Sequence, residues 1–151
     1  MRRIRGFTLL EILVVLGLMG LLAAIVAPRV VAGNDYYTMA TNLREIASAL
    51  RQTRSLAIEA QEDRVLQFDL EDKTYRIDKQ SPHDIDPEID ISVFTSDSEI
   101  SADGRYAGIR FHADGASGGG RVTLKLSDEK RAVDIVWMTG QVNILDNPGD
   151  D

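Results

Sequence analysis

Three hydrophobic patterns follow one another along the chain, and the first is almost continuous. Residues 7–28 are nearly all apolar, and no charged residue occurs between Ile12 and Ala27. As a helix, this stretch would be about 33 Å long at 1.5 Å per residue, which is enough to cross a bilayer core of about 30 Å. The pattern predicts a hydrophobic helix that spans a membrane.

The second pattern has the period of an amphipathic helix. Between about Met39 and Ala60, charged residues face away from a stripe of apolar residues at spacings of three, four and seven. The stripe consists of Leu43, Ile46, Ala47, Leu50, Ala57 and Ala60, and the charged residues are Arg44, Glu45, Arg51 and Glu59. Pro28 removes a backbone donor, and Gly33–Asp35 could break or fray the helix. We nevertheless expect residues 7–28 and 29–62 to be two halves of one long helix.

The third pattern, from Arg64 onward, alternates with a period of two, as in half-buried strands. Strands are predicted at 65–70, 74–78, 89–95, 108–112, 121–126, 132–137 and 141–144. Because several strands follow one helix without β-α-β alternation, residues 63–151 are predicted to form an α+β body with a mainly antiparallel sheet. Two stretches, 81–90 and 115–120, are predicted to be flexible surface loops.

Composition narrows the possible partners. The chain has 151 residues, a formal net charge of −7 and no cysteine. An acidic body does not favour binding to a phosphate backbone, so nucleic acid is not an expected partner. The absence of cysteine excludes disulfides and thiolate metal sites.

Glu11 is costly in an apolar helix and therefore requires a partner. A carboxylate inside a membrane segment costs about 2–3 kcal/mol, and no basic residue follows until Arg29. Cleavage between Gly6 and Phe7 would create a positive α-amino group on Phe7, about 6 Å along the helix from Glu11. An ordinary signal peptide cut near Ala23–Ala27 is the alternative, but it would leave Glu11 unexplained.

The amino-terminal sequence RGFTLLEILVVLGLMGLLAAIVAP resembles the class III signal and first helix of type IV pilins and type II secretion pseudopilins. The resemblance implies that residues 1–6 are a leader removed by prepilin peptidase after Gly6, and that the amino group of Phe7 is then methylated. It also implies that Glu11 makes assembly contacts in a filament. Arg2, Arg3 and Arg5 precede the apolar segment, which predicts a single pass with the body across the membrane from these arginines. The resemblance implies that this membrane is the bacterial inner membrane and that the body lies in the periplasm.

A second resemblance covers the carboxyl-terminal part of the chain. The segment IRFHADGASGGGRVTLKL, followed by VDIVWMTGQVNI, is similar to the soluble domain of the GspH/FimT family. Together the two resemblances imply a type IV pilin-like fold. The implied partners are other major and minor pseudopilins, the prepilin peptidase and the inner-membrane secretion platform.

Catalytic and metal-binding interpretations have weaker support. Gly115–Gly119 matches the G-x-S-x-G pattern of a hydrolase, but both histidines, His83 and His112, precede Ser117, which is the wrong order. The alternating acids of residues 84–90 leave open a calcium loop, although the pattern lacks the glycine and final acid of an EF-hand. We predict no catalytic residue, no metal ligand and no cofactor.

Three functions remain as hypotheses. The favoured one is an H-type minor pseudopilin of the type II secretion system, a structural component of the pseudopilus. The second is a FimT-like minor pilin of a type IV pilus, which would serve adhesion, motility or DNA uptake. The third, from another class, is a membrane-tethered periplasmic binding module that never enters a filament.

Overall fold

The computed structural model describes residues 8–146 and Pro148, except for the side chains of residues 23–34. The chain divides into two compact units, Met1–Asp35 and Tyr36–Asp151. Because the described part begins after Phe7, the predicted cleavage site lies outside it.

One helix, α1 (Leu9–Ala60), runs through both hydrophobic patterns. This confirms the prediction of one long helix, and the possible break at Gly33–Asp35 does not occur in its backbone. Among the described residues, no helix contains a stretch of sufficient length and hydropathy to cross a membrane. The predicted span of 7–28 includes Phe7 and the side chains of 23–28, which lie outside the described residues.

Two four-stranded sheets follow the helix, and every strand pairing is antiparallel. The first sheet has the order β3-β2-β1-β5 and the second β4-β6-β7-β8. The strands are β1 (Arg64–Asp69), β2 (Thr74–Ile77), β3 (His83–Asp84), β4 (Asp90–Phe94), β5 (Tyr106–Phe111), β6 (Gly120–Leu126), β7 (Glu129–Val136) and β8 (Gln141–Leu145). All seven predicted strands are present, and the α+β prediction is confirmed. The two-residue strand β3 was missed because it is too short to show alternation.

The core contains side chains from α1 and from both sheets. Leu43, Ile46 and Leu50 of the helix are buried, as the periodicity predicts. They belong to one apolar cluster with Phe68 of the first sheet and Leu124 of the second. Ala60 does not follow the prediction: it is the last residue of α1 and is exposed, because the helix ends there.

Both predicted loops are tied to their neighbours by hydrogen bonds; residues 81–90 are largely exposed, as predicted, whereas residues 115–120 are largely buried or half-buried. In residues 81–90, the amide of Asp86 donates to the Asn42 side chain of α1 (3.1 Å), and Lys73 donates to the Pro87 carbonyl. In residues 115–120, Ser117 is buried and its amide donates to the carbonyl of Trp137 (2.9 Å). Glycine content and polarity indicate only how freely the backbone can move locally. The hydrogen bonds that hold these two segments come from residues distant along the chain, which composition does not reveal.

An ion-pair cluster closes one end of the first sheet. The guanidinium of Arg105 donates to both carboxylate oxygens of Asp69, with an Nη2–Oδ2 distance of 2.8 Å. These hydrogen bonds hold the pKa of Asp69 below its usual value, because they stabilise the charged carboxylate. Asp72 also accepts a hydrogen bond from Arg105, so one cation fixes the β1–β2 turn.

Candidate functional site

Ser117 is buried and bonded to the backbone, unlike an exposed catalytic nucleophile. Its side chain is 6 % exposed, and its hydroxyl donates to the Arg110 carbonyl at 2.7 Å. The same oxygen accepts a hydrogen bond from the amide of Gly119. The strand β6 follows it, whereas a nucleophile elbow requires a helix there. Ser117 therefore shapes the turn into β6.

The two histidines lie in separate places. His83 stacks on the ring of Tyr75, with 5.4 Å between the ring centroids. His112 has its Nδ1 atom 3.0 Å from a carboxylate oxygen of Asp63. Each ring thus contacts a different strand or loop, and neither histidine is in contact with Ser117 through any hydrogen bond of the described residues.

The acidic residues of 84–90 do not converge on a common point. The carboxylate of Asp86 accepts a hydrogen bond from the amide of Glu88 within its own loop. Asp90 lies 3.8 Å from the ammonium group of Lys73. Among the described residues, no three histidine, aspartate or glutamate side chains are grouped so that they could hold a metal ion.

Most of the exposed large apolar side chains of the described chain lie in the first turns of α1. Their large side chains are between 43 % and 80 % exposed. They are Leu9, Leu10, Ile12, Leu13, Val14, Val15, Leu16, Leu18, Met19, Leu21 and Leu22. A helix that is apolar all round needs lipid or other helices around it, because water solvates such a surface poorly. We call this surface, residues 8–22, the apolar helix surface.

Glu11 lies in the first turn of this surface and takes part in the start of the helix. Thr8 immediately precedes α1, and its hydroxyl accepts a hydrogen bond from the Glu11 amide at 3.2 Å. The Thr8 carbonyl also accepts from the amides of Glu11 and Ile12. Threonine followed by glutamate three residues later is the capping-box spacing. No helix cap was predicted here, although the T-x-x-E spacing is visible in residues 8–11.

The structure does not test the predicted roles of Gly6, Phe7 and Glu11. Gly6 and Phe7 lie outside the described residues. Glu11 is described and exposed, and its side chain is accessible to a neighbour. Cleavage, methylation and assembly at these residues remain predictions.

The fold is shared by solved structures of pilin-like proteins. The minor pseudopilin EpsH from the type 2 secretion system of Vibrio cholerae aligns with a TM-score of 0.55 and 11 % identity, over 71 % of this chain and 95 % of that one. The type IV minor pilin FimU of Pseudomonas aeruginosa aligns with a TM-score of 0.53 and 14 % identity, over 70 % of this chain and 86 % of that one. These likenesses show that the fold is type IV pilin-like.

Sequence comparison identifies the family within this class. Residues 1–27 match the prokaryotic N-terminal methylation motif, and residues 42–140 match the family described as type II transport protein GspH. Type II secretion system protein H of Xanthomonas campestris pv. campestris is 30 % identical over 141 residues, which cover 93 % of this chain and 83 % of that protein. The chain belongs to the GspH family, the minor pseudopilins of type II secretion. Membership implies a membrane-anchored protein that assembles with other pseudopilins.

Proposed function

We propose that this chain is processed after Gly6, held in the bacterial inner membrane by a single helix, and incorporated into the periplasmic pseudopilus. That filament would drive the export of folded proteins across the outer membrane. The proposed role is structural and requires no catalytic group. Its implied partners are other major and minor pseudopilins, the prepilin peptidase and the inner-membrane platform.

The apolar helix surface is the observation that carries this proposal. Its side chains are exposed around the whole circumference of the helix, from Leu9 to Leu22. Lipid can cover such a surface in a waiting subunit, and helices of neighbouring subunits can cover it in a filament. A protein that works in both settings needs a surface of this kind.

Glu11 supports the filament stage of the proposal. Its carboxylate would be unpaired in an apolar setting unless a cation came close, and such isolation costs about 2–3 kcal/mol. The α-amino group created on Phe7 supplies that cation, from the same chain in the membrane or from a neighbour in the filament. Matching one charge to the other would then fix the axial position of the subunit.

Removal of the leader is the first step to test. We expect Gly6→Leu to leave an uncut precursor in the membrane, because the peptidase needs access to a backbone without a side chain at this position. Intact-mass analysis of the membrane-extracted protein would measure processing. In the wild type it should show a chain beginning at Phe7 and carrying one added methyl group.

Gly17→Ala is the matched control, since an added Cβ at Gly17 has no atom within 4 Å. It should be processed like the wild type. A mature wild-type protein that retains Met1 would refute the proposed processing and the charge pairing that depends on it.

A further inference from the structure

A second candidate interaction surface lies where the last turns of α1 meet the β7–β8 hairpin. A groove of about 490 Å³ opens there. Its lining consists of Arg51 and Arg54 from the helix and of residues 139–142 from the hairpin. We call it the arginine groove. None of its lining residues belongs to residues 8–22.

The two arginines are held in place by backbone carbonyls rather than by acids. Arg51 donates from Nη2 to the Val142 carbonyl at 3.2 Å, and Arg54 donates from Nε to the Gly115 carbonyl at 2.9 Å. Each guanidinium has five N–H donors, so most of them remain available. Anchoring one donor also reduces the conformational entropy that a bound ligand would otherwise have to remove.

Their positive charges are not neutralised within the described chain. Other arginines form ion pairs, such as Arg105 with Asp69, Arg110 with Glu99 and Arg131 with Glu129. Among the ion pairs of residues 8–146, none includes Arg51 or Arg54. Acids outnumber basic residues in this chain by 24 to 17, and the groove brings two positive charges together on this acidic chain.

The hairpin backbone is packed tightly against the groove. Gly140 has a φ angle of 62°, and a Cβ atom added to it would overlap the Gly115 carbonyl oxygen. The same Cβ would lie 2.9 Å from Nε of Arg54. A glycine at this position therefore lets the hairpin approach the arginine closely, and this approach keeps the guanidinium at the groove wall.

We propose that the arginine groove receives an acidic side chain of a neighbouring pseudopilin subunit. A carboxylate matches the planar fork of a guanidinium and forms two charge-assisted hydrogen bonds with it. The groove also contains polar side chains, Thr139 and Gln141, that can bond to such a group. That the partner is a pseudopilin rests on the proposed function. That its contacting group is acidic follows from the two arginines of the groove.

A protein partner fits this surface better than a nucleic acid. Polynucleotide binding draws on many phosphate contacts, spread over a broadly basic surface. Here the basic surface is limited to two arginines in the groove, and the whole chain has a net charge of −7. Such a surface suits one or two carboxylates.

The test is site-specific crosslinking in the producing cell with the full-length chain. A photo-crosslinking amino acid at Gln141, which lines the groove, should give an adduct with an acidic segment of another pseudopilin. Mass spectrometry of the crosslinked peptides would identify that segment. Arg51→Glu with Arg54→Glu should lower the adduct yield about tenfold, because like charges repel where opposite charges attracted. Lysine at both positions should retain most of it.

Arg76→Glu is the matched control. Arg76 is exposed on β2 and donates to Gln67, and no ion pair of the described residues includes it. The Arg76→Glu variant should leave the yield of the Gln141 adduct unchanged. Replacing the crosslinked acid of the partner by arginine should restore the adduct in the Arg51→Glu, Arg54→Glu chain. If the double variant unfolds, Arg51→Glu alone should still lower the yield about threefold, since Arg51 is exposed.

A second crosslinker position, Leu13, separates this inference from the proposed function. If the wild-type chain with the crosslinker at Leu13 formed no adduct with any pseudopilin, this result would contradict the proposed filament assembly. Adducts at Leu13 together with a Gln141 adduct that resists charge reversal would refute the arginine groove alone. A Gln141 adduct with nucleic acid would also refute it.

Discussion

At the scale of single residues, Glu11 combines two roles that substitutions can separate. Its amide completes the helix start with Thr8, whereas its carboxylate is the proposed partner of the amine on Phe7. Glutamine also serves in a capping box, so Glu11→Gln removes the charge and preserves the helix start. Thr8→Val has the opposite effect, since it removes the hydroxyl acceptor and leaves the charge.

We expect Glu11→Gln to insert and fold normally but to crosslink less to other pseudopilins and to reduce secretion. Thr8→Val should weaken the first helical turn by about 1 kcal/mol and change secretion less. The measurement is the yield of pseudopilin adducts at Leu13, together with a secretion assay. Equal adduct yields and equal secretion in Glu11→Gln and wild type would mean that the charge has no role in assembly.

Asp69 gives stability a defined dependence on pH. Its pKa is lowered in the folded chain, mainly by the Arg105 hydrogen bonds. The contribution of Asp69 to the free energy of unfolding is therefore complete above its unfolded pKa of about 3.9. It is lost as the pH falls through the lower pKa of the folded chain. At pH 7, Asp69→Asn should reduce the free energy of unfolding by about 1.5 kcal/mol, and the difference should shrink below about pH 4.

Urea unfolding of wild type and variant at several pH values would measure this difference. Arg105→Gln should remove the same pH dependence, and the double variant should cost less than the sum of the two single changes. A constant difference between Asp69→Asn and wild type from pH 7 to about pH 3 would show that the charge pairing does not stabilise the fold.

At the scale of elements, α1 is one helix with two different environments. Leu50 has no exposed surface and belongs to the core, whereas Leu16 is 59 % exposed. The two residues have the same side chain and lie in the same helix. Their difference arises because Leu50 lies in the apolar cluster that strand residues complete, whereas Leu16 does not.

Leu50→Ala should therefore destabilise the folded body by about 2–5 kcal/mol, because it removes buried methyl groups and leaves a cavity. Leu16→Ala should leave the unfolding of the body unchanged and act on assembly instead. Thermal unfolding of the detergent-solubilised chain, followed by circular dichroism, would measure both. If the two substitutions reduced the stability of the body equally, this would contradict the inference that Leu50 stabilises the body whereas Leu16 serves assembly.

At the scale of the whole molecule, the unit Tyr36–Asp151 contains the complete described core. The helix of this unit is covered by both sheets, and the guanidinium of Arg131 lies 4.7 Å from the centre of the Tyr36 ring. None of the side chains of residues 8–22, which the structure describes, belongs to that core. The body should thus fold without the apolar helix surface.

A chain that begins at Gly33 should be soluble and unfold in one cooperative transition. A chain that begins at Thr41 lacks Met39, whose side chain has no exposed surface, and should be less stable by about 3 kcal/mol. Gel filtration and thermal unfolding would compare the two. An insoluble or molten Gly33 chain would contradict the two-unit architecture.

The sequence by itself determined the long helix and seven of the eight strands in their order, because periodicity is a local property of the backbone. The helical stripe of Leu43, Ile46 and Leu50 and the alternation of Leu66 and Phe68 state directly which face is buried. The amino-terminal pattern also indicated the family, since Gly6, Phe7 and Glu11 lie within a few residues of each other. None of this required knowledge of distant contacts.

Only the tertiary structure decided which distant residues meet. The strands were predicted, but not their division into two sheets, because register and pairing depend on contacts between remote segments. Ser117 was predicted in a surface loop and is buried by Arg110 and Trp137. Arg51 was predicted to face away from the core, and in the fold it donates to the distant Val142 carbonyl. Such contacts depend on the distance between two groups in space, and the positions of the residues along the chain do not give that distance.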